Sequence, residues 1–354
     1  MIAFAENTQK QDIIHIWKTS FPNDSPEFIE MYFTKKYAAK NTLVSILDNK
    51  IVSCLQMLPY TIHFYNQLCK LSYISGAATL PDYQNRGIMG KLLSQSFTEM
   101  KNRGDVFTTL IPQEAWLIEF YKKYGYATCF EYSLTPISLE NDCFSDSFSV
   151  LELEGTHLRE AYEYYYRHCR QQNLVVLKSF DDFLVIWEEL TMFSGSVLVG
   201  YESENMCGIC FCSPSSEKVI IKDLITDSET ARKQLVSLVR QKYHTENIYL
   251  YEPASDNKEP IALGMARIIH AEKALQIYAS YYPLLQITVK VQDNQMAENN
   301  GIFCLANGIC TQTHNHLVDI EVDINLLSQL LFGYQTSHYA HFPQQHPYMS
   351  LMLE

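Results

Sequence analysis

The chain has 354 residues, of which 47% are hydrophobic and 19% are charged, and its net charge is -13. This length predicts two or three domains, and this composition predicts packed cores and argues against intrinsic disorder. An acidic surface repels the phosphates of nucleic acids and anionic lipids, so we expect neither a nucleic acid nor a membrane as a partner. A cationic small molecule or a lysine-bearing peptide is the kind of partner that this charge favours.

The sequence also carries no sign of a membrane span or of export. It has no apolar stretch of about 18 residues that could cross a bilayer. Its first residues lack the basic start and the apolar stretch of a secretory signal. Ten cysteines are scattered along the chain, and without a secretory context they predict reduced thiols and a cytoplasmic location.

The N-terminal part is predicted as two helices followed by antiparallel strands. Residues 7–19 and the segment after Pro22 repeat apolar residues at helical spacing. Turns are predicted at Asp48-Asn49 and at Asn66. The strands predicted around these turns are residues 43–47, 51–58, 61–64 and 71–80.

A crossover follows. A strand ends at Pro81, a helix begins near Gly87 and stops at Gly104, and residues 106–111 form the next strand. Such a connection requires the two flanking strands to be parallel. A further helix over residues 114–124 and a strand over 126–134 complete this part, and the face of the crossover helix predicted to be buried consists of Ile88, Leu92, Leu93, Phe97 and Met100.

The remainder of the chain repeats this order and then adds a tail. A boundary is predicted at residues 136–147, and the order of elements over residues 150–252 suggests an internal duplication. The second crossover, KDLITDSETARKQL, contains no glycine, so it is predicted to lack a phosphate site. The tail, from about residue 284, is predicted to be a small α+β domain with strands near 285–291, 301–305 and 317–322 and a helix near 326–331.

The start of the first crossover helix has the properties of an anion site. Free backbone N–H groups and the helix dipole attract anions there, and glycine permits close approach of a phosphate. Arg86 and Lys91 add positive charge. Neither the nucleotide P-loop motif nor the dinucleotide motif G-x-G-x-x-G is present. The alternative is that Gly87 merely permits close packing. The loop comprises Gln84, Asn85, Arg86, Gly87, Ile88, Met89 and Gly90.

This loop resembles the acetyl-CoA-binding motif of the GNAT acetyltransferases, Q/R-x-x-G-x-G/A. Gln84 and Gly87 match it, whereas Met89 stands where the family has glycine or alanine. The run of residues 120–126, FYKKYGY, is similar to the family's FY-x-x-x-GF/Y helix end. The resemblance implies an N-acetyltransferase that uses acetyl-CoA as co-substrate, without a metal, and acts on a primary amine of a small molecule or a lysine side chain.

The whole chain resembles the Eis-like (enhanced intracellular survival) branch of this family. Residues 265–269, MARII, with Ala274-Leu275 and Tyr278 are similar to its M-x-R-x-x-D…A-L signature, in which His270 replaces the acidic residue. The resemblance implies an α/β (α+β) fold class with tandem GNAT folds, mixed sheets and a small sterol-carrier-like domain. It also implies a homo-oligomer, a hexamer in that branch. The implied domains are a catalytic GNAT domain over 1–137, a degenerate GNAT-like domain over 148–282 and a sterol-carrier-protein-like domain over 283–354.

Amine acetylation requires a base for the ammonium proton and an acid for the departing thiolate. The resemblance implies Tyr121 as the acid, although the tyrosine could instead be a packing aromatic. It implies the α-carboxylate of Glu354 as the base. Glu114, just past the strand predicted over residues 106–111, is an acidic alternative, but charge matching at the start of a helix is the favoured interpretation of this residue. Backbone groups of Ala77, Ala78 and Thr79 are implied as contacts of the acetyl-pantetheine arm, one N–H serving as an oxyanion donor.

Two other patterns are interpreted as unrelated to metal binding. In Cys207-x-x-Cys210-x-Cys212 the first thiol would point opposite to the other two on a strand. His314 and His316 have no carboxylate or cysteine partner at ligand spacing. A non-catalytic protein that senses CoA, or binds an apolar ligand in its tail domain, remains the alternative function.

Overall fold

A computed structural model of the chain describes residues 1–137, 148–254, 260–314 and 317–353. Within these ranges the fold is mixed α/β. The helices are α1 (Lys10–Ser20), α2 (Pro26–Lys35), α3 (Ile88–Arg103), α4 (Ala115–Lys122), α5 (Leu158–Cys169), α6 (Phe180–Met192), α7 (Glu229–Tyr243), α8 (Ala271–Tyr281) and α9 (Ile324–Leu331). The strands are β1 (Ile2–Phe4), β2 (Thr42–Leu47), β3 (Lys50–Phe64), β4 (Gln67–Thr79), β5 (Phe107–Leu110), β6 (Ala127–Pro136), β7 (Phe148–Glu152), β8 (Val175–Leu177), β9 (Ser196–Glu202), β10 (Asn205–Pro214), β11 (Val219–Thr226), β12 (Ile248–Pro253), β13 (Ile261–Ile268), β14 (Ile287–Gln292), β15 (Gly301–Ala306), β16 (Ile309–Thr313) and β17 (Ile320–Asp323).

The chain divides into two compact units, and each unit contains two separate stretches of sequence. The first unit comprises Met1–Phe130 and Leu263–Gln345. The second comprises Glu131–Ala262 and His346–Glu354. No helix in the described part of the chain is both long and apolar enough to cross a membrane.

The first unit contains a sheet with the order β1-β2-β3-β4-β5-β13. The two predicted turns are present, and all four turn residues have left-handed backbone angles, which suit the twist of a two-residue hairpin: Asp48 (φ 48°), Asn49 (φ 57°), Tyr65 (φ 45°) and Asn66 (φ 65°). The separate strands predicted over 51–58 and 61–64 are wrong. They form the single strand β3, because its pairing with β4 continues through Pro59, which lies opposite Ser72.

The predicted crossover joins β4 to β5 through α3. β4 and β5 are parallel, as the connection required. The helix begins after Gly87 and ends at Gly104, where the left-handed φ of 81° makes glycine the favoured residue. The predicted face is buried: Ile88, Leu92, Leu93, Phe97 and Met100.

The sequence did not predict β13, which pairs antiparallel with β5 so that Arg267 lies opposite Thr108. The tail forms a second sheet with the order β16-β15-β14-β17. In this sheet β14 and β17 are parallel and the hairpin of β15 with β16 is antiparallel. His270 begins α8: its ring accepts the N–H of Lys273 at 3.4 Å, which explains how a histidine serves where the signature has an acidic residue.

The second unit repeats the arrangement of the first. Its sheet has the order β12-β11-β10-β9-β7 and also includes the later residues of β6, which pair with β12. β11 and β12 are parallel, and α7 connects them. Residues of β10 alternate between two apolar clusters, one formed with α5 and α6 and the other with α7. The sequence did not predict β8.

Candidate functional site

The candidate site lies where β4 and β5 separate. Their parallel pairing runs from Leu71 opposite Phe107 to Tyr73 opposite Thr109. β4 then continues to Thr79, paired with β3 alone among the described strands. On its opposite edge β4 beyond Tyr73 therefore has backbone groups that pair with no described strand, and this edge includes the segment predicted to contact a thioester arm.

A bulge shapes β4 at this point. Cys54 pairs with Ala78 but Gln56 pairs with Ser75, so Gly76 and Ala77 together lie opposite one residue of β3. Gly76 has a φ of 55°, and a Cβ on it would lie 2.3 Å from the Trp17 ring. Glycine is therefore required by both the backbone angle and the packing. An isolated glycine inside a strand was the sequence signal for this bulge.

The start of α3 presents backbone donors that pair with no other described residue. The first hydrogen bond of the helix runs from the Lys91 N–H to the Gly87 carbonyl at 3.2 Å, so the N–H groups of Ile88, Met89 and Gly90 have no acceptor within the helix. Gly87 is exposed with a φ of 71°, and a Cβ on it would meet nothing within 4 Å. Close packing does not explain this glycine; a left-handed backbone angle beside an open surface does.

Side chains of the preceding loop hold its shape. The Gln84 amide donates to the Thr79 carbonyl at 3.1 Å, which ties the loop to the end of β4. The Arg86 guanidinium donates to the Asp82 carbonyl at 2.7 Å and lies 5.3 Å from the centre of the Tyr83 ring. Asn85 has a left-handed φ of 59°. Arg86 and Lys91 are both exposed, so their charges are available to an anion at the helix start.

Gly90 has a role different from that of Gly87. It is buried, and a Cβ on it would lie 2.0 Å from the Tyr124 hydroxyl oxygen. Tyr124 therefore packs against the first turn of α3, a contact that the sequence did not reveal. Met89, at the position where the motif has a small residue, is half-buried and packs against the apolar cluster beneath the helix.

Tyr121 lies near the end of α4 and is 7% exposed. Its ring contacts those of Phe120 and Tyr126, at centroid distances of 5.2 and 5.7 Å. Burial raises the pKa of the Tyr121 hydroxyl to about 12, so this hydroxyl keeps its proton at neutral pH. Within the described part of the chain the hydroxyl makes no hydrogen bond. Tyr121 belongs to the apolar cluster against which Ala77 and Met89 also pack.

Of the two candidate bases, the structure describes Glu114 but not Glu354. Glu354 lies outside the described residues. The segment before it belongs to the second unit, where the Tyr348 N–H donates to the Leu174 carbonyl at 3.1 Å and the Ser350 hydroxyl to the Asp223 carboxylate at 2.7 Å. Glu114 is exposed at the start of α4. It makes no side-chain cap and instead accepts the Trp116 indole N–H at 2.6 Å.

The corresponding helix start in the second unit is capped by the side chain of the residue that precedes the helix. α7 begins at Ser228, whose hydroxyl accepts the Ala231 N–H at 3.1 Å. This bond occupies a first-turn donor of α7, whereas the first-turn donors of α3 have no acceptor within their helix.

No metal cluster is formed by the described residues: they contain no group of three His, Cys, Asp or Glu side chains placed to hold an ion. The sulfur atoms of Cys210 and Cys212 lie 3.5 Å apart in the core of the second unit, and both cysteines are free. Cys207 instead donates to the Gly200 carbonyl. His316 lies outside the described residues, and His314 belongs to no such cluster.

Two family models match the sequence. The model described as acetyltransferase (GNAT) domain matches residues 2–129, and the model described as sterol carrier protein domain matches residues 272–345. These matches confirm the resemblance to the GNAT family and to a C-terminal sterol carrier protein domain. No curated protein matches the sequence.

Solved structures share the fold over nearly the whole chain. A probable N-acyltransferase from Enterococcus faecalis V583, described as a conserved protein of unknown function, has a TM-score of 0.80 and 16% identity over 98% of this chain and 94% of its own. A GCN5-related N-acetyltransferase from Anabaena variabilis has a TM-score of 0.78 and 16% identity over 98% and 94%. Eis1 from Mycobacterium abscessus has a TM-score of 0.74 and 14% identity over 94% and 90%. At these identities the likeness is one of fold, and it confirms the predicted fold class.

Proposed function

The chain carries an acetyltransferase domain of the GNAT family and a sterol carrier protein domain, and from this premise we propose an acetyl-CoA-dependent N-acetyltransferase. Its acceptor is a primary amine on a cationic small molecule or a lysine side chain. The proposal rests on two neighbouring features that the Gln84–Thr79 hydrogen bond joins: the edge of β4 beyond Tyr73, which has no partner among the described strands, and the open start of α3 at Gly87. One suits a thioester arm and the other a diphosphate.

The residues present fit the parts of acetyl-CoA. N–H groups of the first turn of α3, together with Gln84 through Gly90, would bind the diphosphate, because a helix start combines free donors with a positive dipole. Backbone groups of Ala77, Ala78 and Thr79 would bind the pantetheine arm. An N–H on this edge would stabilise the oxyanion that forms when the amine attacks the thioester carbonyl. The co-substrate supplies the acetyl group.

Tyr121 is proposed to donate its proton to the sulfur as the carbon–sulfur bond breaks. Its buried position supports this role, because burial keeps the hydroxyl protonated and excludes water from the reacting atoms. Its hydroxyl makes no hydrogen bond within the described residues, so a ligand atom can accept from it. The neighbouring aromatic residues Phe120 and Tyr124 are less buried than Tyr121, since both are only half-buried.

The acceptor amine must lose a proton before it attacks. At an unperturbed pKa near 10.4, only about one lysine amine in 2,500 is neutral at pH 7. The α-carboxylate of Glu354 remains the proposed base, acting through water. The net charge of -13 supports a cationic acceptor, because it concentrates such molecules near the protein. A homo-oligomer, a hexamer by resemblance, is part of the proposal.

Thiol release from acetyl-CoA tests this function. The purified protein is incubated with spermidine, an aminoglycoside and a lysine peptide in turn, and free CoA is measured. We expect amine-dependent release with at least one acceptor. Binding of acetyl-CoA without release by any of them would instead favour the non-catalytic CoA-sensing or apolar-ligand-binding protein.

A further inference from the structure

We propose that three residues are positioning residues for acetyl transfer: Arg267 on β13, Gln295 after β14 and Asn325 on α9. Their side chains bind the backbone carbonyls at the end of α4 and so hold the helix that carries Tyr121. The role in transfer rests on the proposed function. The sterol carrier protein domain, with β13, would thus complete the acetyltransferase site and not serve only as a separate module.

The end of α4 is a Schellman motif with Tyr121 at its first position. The Tyr126 N–H donates to the Tyr121 carbonyl at 3.3 Å, and the Gly125 N–H donates to the Lys122 carbonyl at 3.0 Å. Gly125 has the left-handed φ of 84° that this motif requires. The Tyr121 and Tyr126 rings make the apolar contact that accompanies such motifs. The position of Tyr121 is therefore coupled directly to the turn over residues 122–126.

Three side chains from distant sequence bind carbonyls of this turn. The Asn325 amide donates to the Lys122 carbonyl at 2.9 Å and to the Tyr126 carbonyl at 2.7 Å. Two more carbonyl groups of the turn are bound in the same way: the Gln295 amide donates to that of Lys123 at 3.5 Å, and the Arg267 guanidinium donates to that of Tyr124 at 2.8 Å. Helix ends leave carbonyls without partners within the helix, and here β13 and the tail of the chain supply donors.

Arg267 is fixed by an ion pair that is itself buried. Its guanidinium binds both oxygens of the Asp293 carboxylate, at 3.0 and 2.7 Å, and both side chains are 0% exposed. It also lies 4.4 Å from the centre of the Phe97 ring on α3. A Cβ on Gly125 would lie 1.6 Å from the Arg267 guanidinium. The turn can therefore occupy this position only because residue 125 is a glycine.

The segment after β14, which contains Gln295, also contacts α3, the helix that follows Gly87. The Ser94 hydroxyl on α3 donates to the Gln295 amide oxygen at 2.8 Å. Lys101 on α3 lies 3.6 Å from the Glu298 carboxylate. Gln295 thus joins α3, which would hold the diphosphate, to the end of α4, which carries the proposed acid. Loss of these contacts would change the position of Tyr121 relative to α3 without removing any group that touches a substrate.

The test uses Asn325→Ala and, as the control, Gln276→Ala. Both residues are half-buried and belong to the first unit, and the side-chain amide of each donates to a backbone carbonyl. Gln276 donates to the Gly308 carbonyl at 3.0 Å, away from α4. Gln295→Ala is the second variant. Hydrogen exchange of peptides covering residues 117–127 is measured together with kcat and the KM for acetyl-CoA.

We expect faster exchange in this segment for Asn325→Ala and Gln295→Ala and no change for Gln276→Ala. Because small displacements of a catalytic group are costly, we expect kcat to fall about tenfold or more, while KM for acetyl-CoA changes less than about twofold. Wild-type exchange and kcat in both variants would overturn the proposal, as would an equal loss of kcat in Gln276→Ala. A wild-type protein that transfers no acetyl group would contradict the proposed function, and the exchange data would still show whether these side chains hold the helix end.

Discussion

Two glycines at opposite ends of α3 allow the anion site to be tested separately from backbone strain. Gly87 precedes the helix with a φ of 71°, and Gly104 follows it with a φ of 81°. A Cβ on either residue would meet nothing within 4 Å. Replacement by alanine at both positions therefore costs only the strain of a left-handed backbone, roughly 1–2 kcal/mol.

The two variants should differ in binding. In Gly87→Ala the new methyl group stands at the open helix start, where it would hold a phosphate away from the N–H groups of Ile88 and Met89. Loss of one charge-assisted hydrogen bond is worth about 1.5–3 kcal/mol, which is roughly 10- to 100-fold in Kd. In Gly104→Ala the Kd should not change, because that glycine lies at the far end of the helix.

The assay is calorimetric titration of each variant with CoA, accompanied by urea unfolding to show that both lose similar stability. Equal Kd values for Gly87→Ala, Gly104→Ala and the wild type would refute the assignment of the anion site. A weaker Kd in Gly104→Ala as well would show that the effect is one of strain and not of position.

Three further predictions concern the proposed acid, the proposed base and a buried carboxyl. Tyr121→Phe should lower kcat by about 10²- to 10⁴-fold with unchanged Kd for CoA, and full activity would remove this tyrosine as the acid. Two glycines added after Glu354 should abolish turnover but not CoA binding; unaltered turnover would eliminate the terminal carboxylate as base. Burial raises the pKa of Asp223 to about 6, above its value near 4 when unfolded, so the folded state holds this proton more tightly and its stability falls as pH rises through this window. From pH 7 to pH 5 the free energy of unfolding measured with urea should rise by about 1 kcal/mol more in the wild type than in Asp223→Asn. The same pH dependence of this free energy in both proteins would contradict the raised pKa.

Local sequence signals predicted the elements around the site. Glycine at both ends of α3 and apolar residues at helical spacing between them gave the helix and its buried face. The pairs Asp48-Asn49 and Tyr65-Asn66 have the backbone angles of tight hairpins, and turn residues are a short-range signal. These features could be predicted because each depends on a few consecutive residues.

Contacts between distant residues could not be predicted. β13 was missed because its residues lack the alternation of a half-buried strand, and its pairing with β5 joins positions far apart in sequence. The hydrogen bond from Arg267 to the Tyr124 carbonyl spans 143 residues. The resemblance to the family signature included Arg267 but not Asp293, with which Arg267 forms an ion pair. The division of the chain into three domains and the roles of the site residues stay predictions.

The start of α3 is proposed to bind the diphosphate of coenzyme A. Calorimetric titration of the wild-type protein with CoA and, separately, with pantetheine tests this directly, because pantetheine lacks the diphosphate. We expect saturable binding of CoA and much weaker binding of pantetheine, since the N–H groups at Gly87 would contact the diphosphate alone. No binding of CoA, or equal binding of the two compounds, would contradict it.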